Sequence, residues 1–103
     1  MTVETLRRLL EAFNAHDIDA VMAFFTEDCV LEMPRGPDPC GRRLEGRERV
    51  REGLESRFAG MPDVHYGEDR HWVAGDRGCS EWLLTGTTAQ DKKLKVRGCD
   101  LFE

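Results

Sequence analysis

From Val64 onward the sequence carries no helical period, and any fold must accommodate that stretch as strands. VHYGEDRHWVAGD, CSEWLLTGT and KLKVRGCDLFE each alternate in polarity and are rich in β-branched or aromatic residues, as strands are. A Gly75-Asp76 turn separates the first two and TAQDKK the last two, with a bulge expected at Gly67. Upstream the period changes. Leu6, Leu9, Leu10 and Phe13 fall at i, i+3, i+4 and i+7 and predict an amphipathic helix ending near Asn14-Ala15-His16. Asp17 is placed to cap a second helix, IDAVMAFF, with Ile18, Val21, Met22 and Phe25 on one side. DCVLEM reads as a strand with Cys29, Leu31 and Met33 on one face. PRGPDPCG is expected to break regular structure, because three prolines in six residues remove amide donors. A third helix runs from about Gly46 to Phe58, with Val50, Leu54 and Phe58 inward.

Helix, helix, strand, helix and then antiparallel strands describe an α+β fold, a curved antiparallel sheet wrapping its concave side around about three helices. At 103 residues the chain is one domain. No apolar run approaches the ~20 residues of a membrane span. No basic segment followed by an apolar one opens the chain, which favours the cytoplasm. A net charge of -5 argues against nucleic acid as a partner. The arginines at 42, 43, 47, 49 and 51 are interleaved with Glu45, Glu48 and Glu52, the pattern of a solvated, ion-paired helix face. Cys29, Cys40, Cys79 and Cys99 have no metal-finger spacing and are expected to be reduced, with Cys29, Cys79 and Cys99 as small residues in or near the core.

The run L-x-x-F-N-A-H-D-I-D-A-V-M-A-F-F-T-E-D-C-V-L-E, then L-E-G-R-E-x-V-R-E-G-L and the closing V-R-G-C-D-L-F-E, resembles the nuclear transport factor 2-like superfamily, in its SnoaL-like and ketosteroid isomerase-like branch. The resemblance covers essentially the whole chain. It implies a cone-shaped, cystatin-like α+β domain with a pocket between sheet and helix, a homodimer, and no cofactor. It also implies one more strand after CDLFE, so residues 1–103 are expected to be a single SnoaL-like domain lacking its final strand. Activities in the branch include isomerisation, cyclisation and dehydration, and other members only bind or assemble. Matched position by position, the isomerase's general base falls on Met33 in E-M-P and its tyrosine donor on Leu9, while the second donor, in D-x-F, matches Asp100 in D-L-F. Steroid isomerisation by that mechanism is therefore rejected, since a thioether cannot abstract a proton.

Strand alternation puts Val96, Gly98, Asp100 and Phe102 on the pocket face, and Trp82 and Leu84 beside them. Desolvation there would keep Asp100 protonated as an acid or hydrogen-bond donor; the competing role is a structural ion pair. His71 is a candidate helper or proton shuttle. Glu32 faces away from Leu31 and Met33, towards an arginine, unless a bulge swings it inward to act as a base. Leu9, Phe13, Leu31, Met33, Trp82, Leu84, Val96 and Phe102 are the expected pocket walls. His65, Glu68, Asp69 and His71 suggest a metal, but ~20 Å of extended chain would separate the two histidines, so none is expected. Two functions follow. One is acid-base isomerase, lyase or cyclase chemistry on a small apolar carbonyl compound, with Asp100 as acid; the other is a non-catalytic small-molecule-binding or dimerisation module. A base within reach of Asp100 separates them. Leu83, facing outward, suits a homodimer through the outer face of the sheet.

Overall fold

Helix α1, Val3–Asn14, begins where the Thr2 hydroxyl accepts the Thr5 amide hydrogen, and it buries the expected stripe of Leu6, Leu9 and Leu10. Asp17 caps α2 by accepting from the Ala20 amide at 3.1 Å. That helix, Ile18–Met22, stops sooner than IDAVMAFF suggests, leaving Phe24 exposed. Arg47 Nη1 donates to the Met22 and Phe25 carbonyls, at 2.5 and 2.7 Å, and so satisfies acceptors that the end of a helix leaves orphaned. The computed structural model describes residues 1–103.

The proline-rich stretch is not a loop. Strand β1 runs Val30–Asp38 and pairs with β2, Gly41–Glu45, in an antiparallel hairpin. Prolines are tolerated because β1 is an edge strand whose register with β2 is regular only from Val30 to Met33, resuming at Asp38 opposite Gly41. Gly41, at φ +114, is required here: an added Cβ would come 2.1 Å from the Met33 carbonyl oxygen. Arg42 and Arg43 consequently lie on β2 rather than on the helix that the mixed-charge run suggested. Helix α3, Arg47–Gly60, carries the rest of that run, with Arg51 bonded to Asp19 and Glu55.

Strands β3 (His65–Ala74), β4 (Arg77–Thr87) and β5 (Lys93–Phe102) form an antiparallel meander. Gly75, at φ +63, makes the two-residue turn between β3 and β4. The pairing slips between Gly67 and Arg70, where Glu68 adopts φ +48. This extra residue inverts the alternation, so Tyr66 and His71 share a face and His65 and His71 do not.

Two apolar clusters join the layers. Leu9, Val21, Met22, Leu44, Val50 and Leu54 pack α1, α2, β2 and α3 together; Leu10, Val64, Tyr66 and Leu84 pack α1 onto the meander. Asn14 acts as a false strand residue on β3, with Nδ2 donating to the Tyr66 carbonyl and Oδ1 accepting the Tyr66 amide hydrogen at 2.9 and 2.8 Å. His16, at φ +55, stacks on Phe58 and places Nε2 2.6 Å from the Val64 carbonyl oxygen. Of the cysteines, Cys79 is buried, Cys29 and Cys40 are half-buried, and Cys99 is exposed, contrary to its expected place near the core.

Candidate pocket beneath helix α1

Asp100 lies opposite Ser80, Gly98 opposite Trp82, and Phe102 opposite Gly78. These pairs set Asp100 and Phe102 on the face that α1 covers. Leu6, Leu9, Leu10, Phe13, Ser80, Asp100 and Phe102 line a small, partly open cavity of about 10 Å³, room for one water-sized group. Its walls are mostly hydrocarbon.

The Trp82 indole donates to Asp100 Oδ2 at 3.0 Å, and that is the carboxyl group's only side-chain hydrogen bond. Burial pushes the Asp100 carboxyl above the usual carboxylate range. The Trp82 hydrogen bond and the nearby Arg57 guanidinium favour the ionised form but do not offset the burial. Arg57 Nη1 donates to the Tyr66 hydroxyl at 3.0 Å, and the Tyr66 ring stands edge-on to Trp82 at 5.1 Å. Burial likewise raises the Tyr66 phenol, against the pull of Arg57. Gly98 lets this happen: a Cβ there would lie 2.5 Å from Trp82 Cη2.

The other expected wall residues disperse. Leu31 and Met33 are half-buried against the α1–α2–α3 cluster, and Leu84 is buried in the cluster on the meander; none lines the cavity. Val96 faces the same side as Leu84, its partner, but is 48% exposed because β5 is the outer strand and α1 does not reach it. Trp82 grips Asp100 without lining the cavity.

Glu32 is exposed, opposite Arg43, with Oε2 3.4 Å from Arg43 Nη1. The hairpin register is regular at Glu32, so nothing re-aims it inward. It borders instead a wide polar surface cleft of about 530 Å³ with Cys40, Arg43 and Arg49.

His71 is enclosed but does not touch Asp100: its ring nitrogens meet Ser80 Oγ at 2.8 Å and Asp69 Oδ2 at 2.7 Å. Sequence reasoning passed over Ser80, Tyr66 and Arg57, and weighed Asp69 only as a metal ligand. A serine in a run of apolar residues carries no signal by itself, and the contribution of Asp69 depends on the bulge. No helix is long and apolar enough to cross a membrane.

An α+β domain whose first helix packs on an antiparallel meander defines a class of protein. The profile of the SnoaL-like domain matches residues 6–103, and the chain belongs to that family. Solved structures share the nuclear transport factor 2-like fold. A Burkholderia pseudomallei protein of unknown function aligns with a TM-score of 0.83 at 20% identity, over 97% of this chain and 79% of its own. A Catenulispora acidiphila protein with a ketosteroid isomerase-like fold, in complex with trimethylamine, gives 0.81 at 20%, over 98% and 75%. A Mycobacterium tuberculosis protein in complex with estradiol-17beta-hemisuccinate gives 0.73 at 18%, over 97% and 80%. At these identities the likeness shows the fold alone. Comparison with curated proteins gives no match.

Proposed function

We propose that this SnoaL-like protein binds a small apolar carbonyl compound, with the carbonyl end placed against the protonated form of Asp100, which burial favours. The observation that carries the reading is the half-buried Asp100 carboxyl, hydrogen-bonded by the Trp82 indole alone, at the wall of a mostly apolar cavity. In a protonated acid the oxygen facing Trp82 accepts, and the other can donate to a carbonyl. The cavity is partly open, so it admits the polar end of such a ligand while the body stays outside. No titratable group stands within hydrogen-bond distance of Asp100, so binding is favoured over isomerase, lyase or cyclase chemistry. One observation supports the catalytic reading: Ser80 brings His71 to the wall of the same cavity.

Asp100→Asn tests the site with and without ligand. Between the ordinary carboxylate range and its raised value, folded Asp100 keeps a proton that the unfolded chain has lost, so its contribution to stability falls as pH rises through that window. The variant is expected to melt higher than wild type at neutral pH and to lose that advantage in acid below the carboxylate range. Small ketones and enones are expected to raise the wild-type melting temperature by roughly 10 °C or more, since ligand at ~100 times its Kd adds roughly 2.7 kcal/mol. Asp100→Asn, whose amide keeps both acceptor and donor, should retain the ligand shift and Asp100→Leu should lose it; equal shifts in Asp100→Leu, or none from any carbonyl compound, would sink the assignment.

The homodimer belongs to the same proposal. Trp72 and Leu101, 49% and 78% exposed, flank Cys79 in one row across β3, β4 and β5 on the face turned away from α1. Leu83 lies on that face and is half-buried. Sedimentation at micromolar concentration is expected to give a dimer, and Trp72→Glu with Leu101→Glu a monomer. A monomeric wild type contradicts the interface.

A further inference from the structure

Asp69, His71 and Ser80 form a continuous hydrogen-bonded chain that the binding reading leaves unused. His71 Nε2 lies 2.7 Å from Asp69 Oδ2, and Nδ1 lies 2.8 Å from Ser80 Oγ. The direction of the chain follows from the chemistry of its members. A carboxylate only accepts, so Nε2 carries the hydrogen that meets Asp69. In a neutral imidazole Nδ1 is then the acceptor, and Ser80 must donate to it. The hydroxyl proton is thus already directed at a base, and the base is held from behind by a carboxylate. Ser80 is 2% exposed and the His71 side chain 5% exposed, so bulk water does not compete for this bond. Ser80 also lines the cavity beneath α1, while Asp69 reaches the surface with 35% of its side chain exposed.

The bulge in β3 is what assembles the set. Without the extra residue at Glu68, alternation would put His71 on the face opposite Tyr66, pointing away from α1. A left-handed backbone at a residue other than glycine is uncommon and is retained here where it aims an imidazole at a serine.

The geometry points to Ser80 as a nucleophile towards small acyl compounds, with His71 as its general base and Asp69 as the residue that orients His71. Oγ attacks the acyl carbonyl carbon while its proton passes to Nδ1. The bond to the leaving alcohol breaks, and the alcohol departs with that proton. Water then attacks the seryl ester, giving its proton to Nδ1, and the carboxylic acid leaves as Ser80 recovers its hydrogen. At about 10 Å³ the cavity restricts the acyl group to the smallest ones, and acetyl enters only where Phe102 or α1 gives way. This inference stands on the hydrogen bonds of Ser80, not on what Asp100 binds.

p-Nitrophenyl acetate is the probe. Wild-type protein is expected to release nitrophenol faster than buffer, with the acetyl group found on Ser80 by mass spectrometry after acid quenching. Ser80→Ala removes the release, and His71→Asn lowers it by about 100-fold or more, the usual range for a general base. Asp69→Asn lowers it with KM unchanged, as the loss of an orienting residue does. Acetyl groups on the exposed Cys99 or on lysines with none on Ser80, or release unchanged in His71→Asn, overturn the proposal. The wild-type adduct decides even if Ser80→Ala folds poorly. The melting experiment on Asp100 reads a different residue, so either assignment can fail alone.

Discussion

Gly98→Val is expected to dislodge Trp82 and leave Asp100 without its hydrogen bond. The indole lies across Gly98, and even the first carbon of a side chain would sit 2.5 Å from Cη2 and 2.7 Å from Cζ3 of the ring. Neither strand can yield, since β4 and β5 pair without a slip from Gly78–Phe102 to Thr87–Lys93. The ring must move. Overpacking of this kind costs roughly 1–3 kcal/mol. In a domain of this size each kcal/mol lowers the melting temperature by roughly 4–8 °C. A purely structural account stops there, but the position of Trp82 adds a second effect. Asp100 loses the indole donor that favours its ionised form, so its carboxyl moves further upward, away from the usual range. Tryptophan fluorescence should change, and carbonyl ligands that wild type binds should no longer raise the melting temperature. Gly60→Ala is the control, because nothing lies within 4 Å of a Cβ at the end of α3. A Gly98→Val protein that melts like wild type would show that Trp82 is not held where it is described.

The outline of the fold was legible because burial repeats in the sequence at the period of each element. Leu6, Leu9 and Leu10 announce α1, and alternation along β4 and β5 already puts Trp82, Asp100 and Phe102 on one face. The hairpin was hidden by its prolines. An edge strand needs amide donors on one side only, and a composition that excludes a central strand says little about an edge. The site was half hidden for a different reason. Ser80 and His71 come together because one residue, Glu68, takes a left-handed conformation that shifts all later positions of β3 to the opposite face. A bulge moves side chains across the sheet by parity, and its position cannot be read from polarity alone. Val96 erred in the other direction. Its face follows from alternation, whereas its exposure depends on how far α1 extends over β5, a matter of packing between distant elements.

Leu9 and Val96 were both expected to line a ligand pocket, and truncating them should separate core from wall. Leu9 is 6% exposed, packed against Val21, Met22, Leu44, Val50 and Leu54, and it also closes one side of the cavity beside Asp100. Leu9→Ala removes buried methyl groups at the junction of three helices and leaves a void that the cluster can fill only by moving α1. Such truncations cost about 2–5 kcal/mol. Domains of this size have roughly 5–15 kcal/mol in all, so the loss is a large fraction of the total. A fall in melting temperature of roughly 10 °C or more is expected. Val96→Ala, at a position 48% exposed, should change stability by no more than about 0.5 kcal/mol. The cavity gives Leu9→Ala a second consequence. The space opened by the lost methyls adjoins the existing void, so larger carbonyl compounds should gain affinity for the variant relative to wild type, provided the assay temperature is below its lowered melting point. A Leu9→Ala protein as stable as wild type would place Leu9 on a wall that solvent already reaches. One that is destabilised, yet keeps the wild-type order of ligand sizes, would show that α1 collapses onto the sheet and that the cavity beside Asp100 is bounded by packing alone.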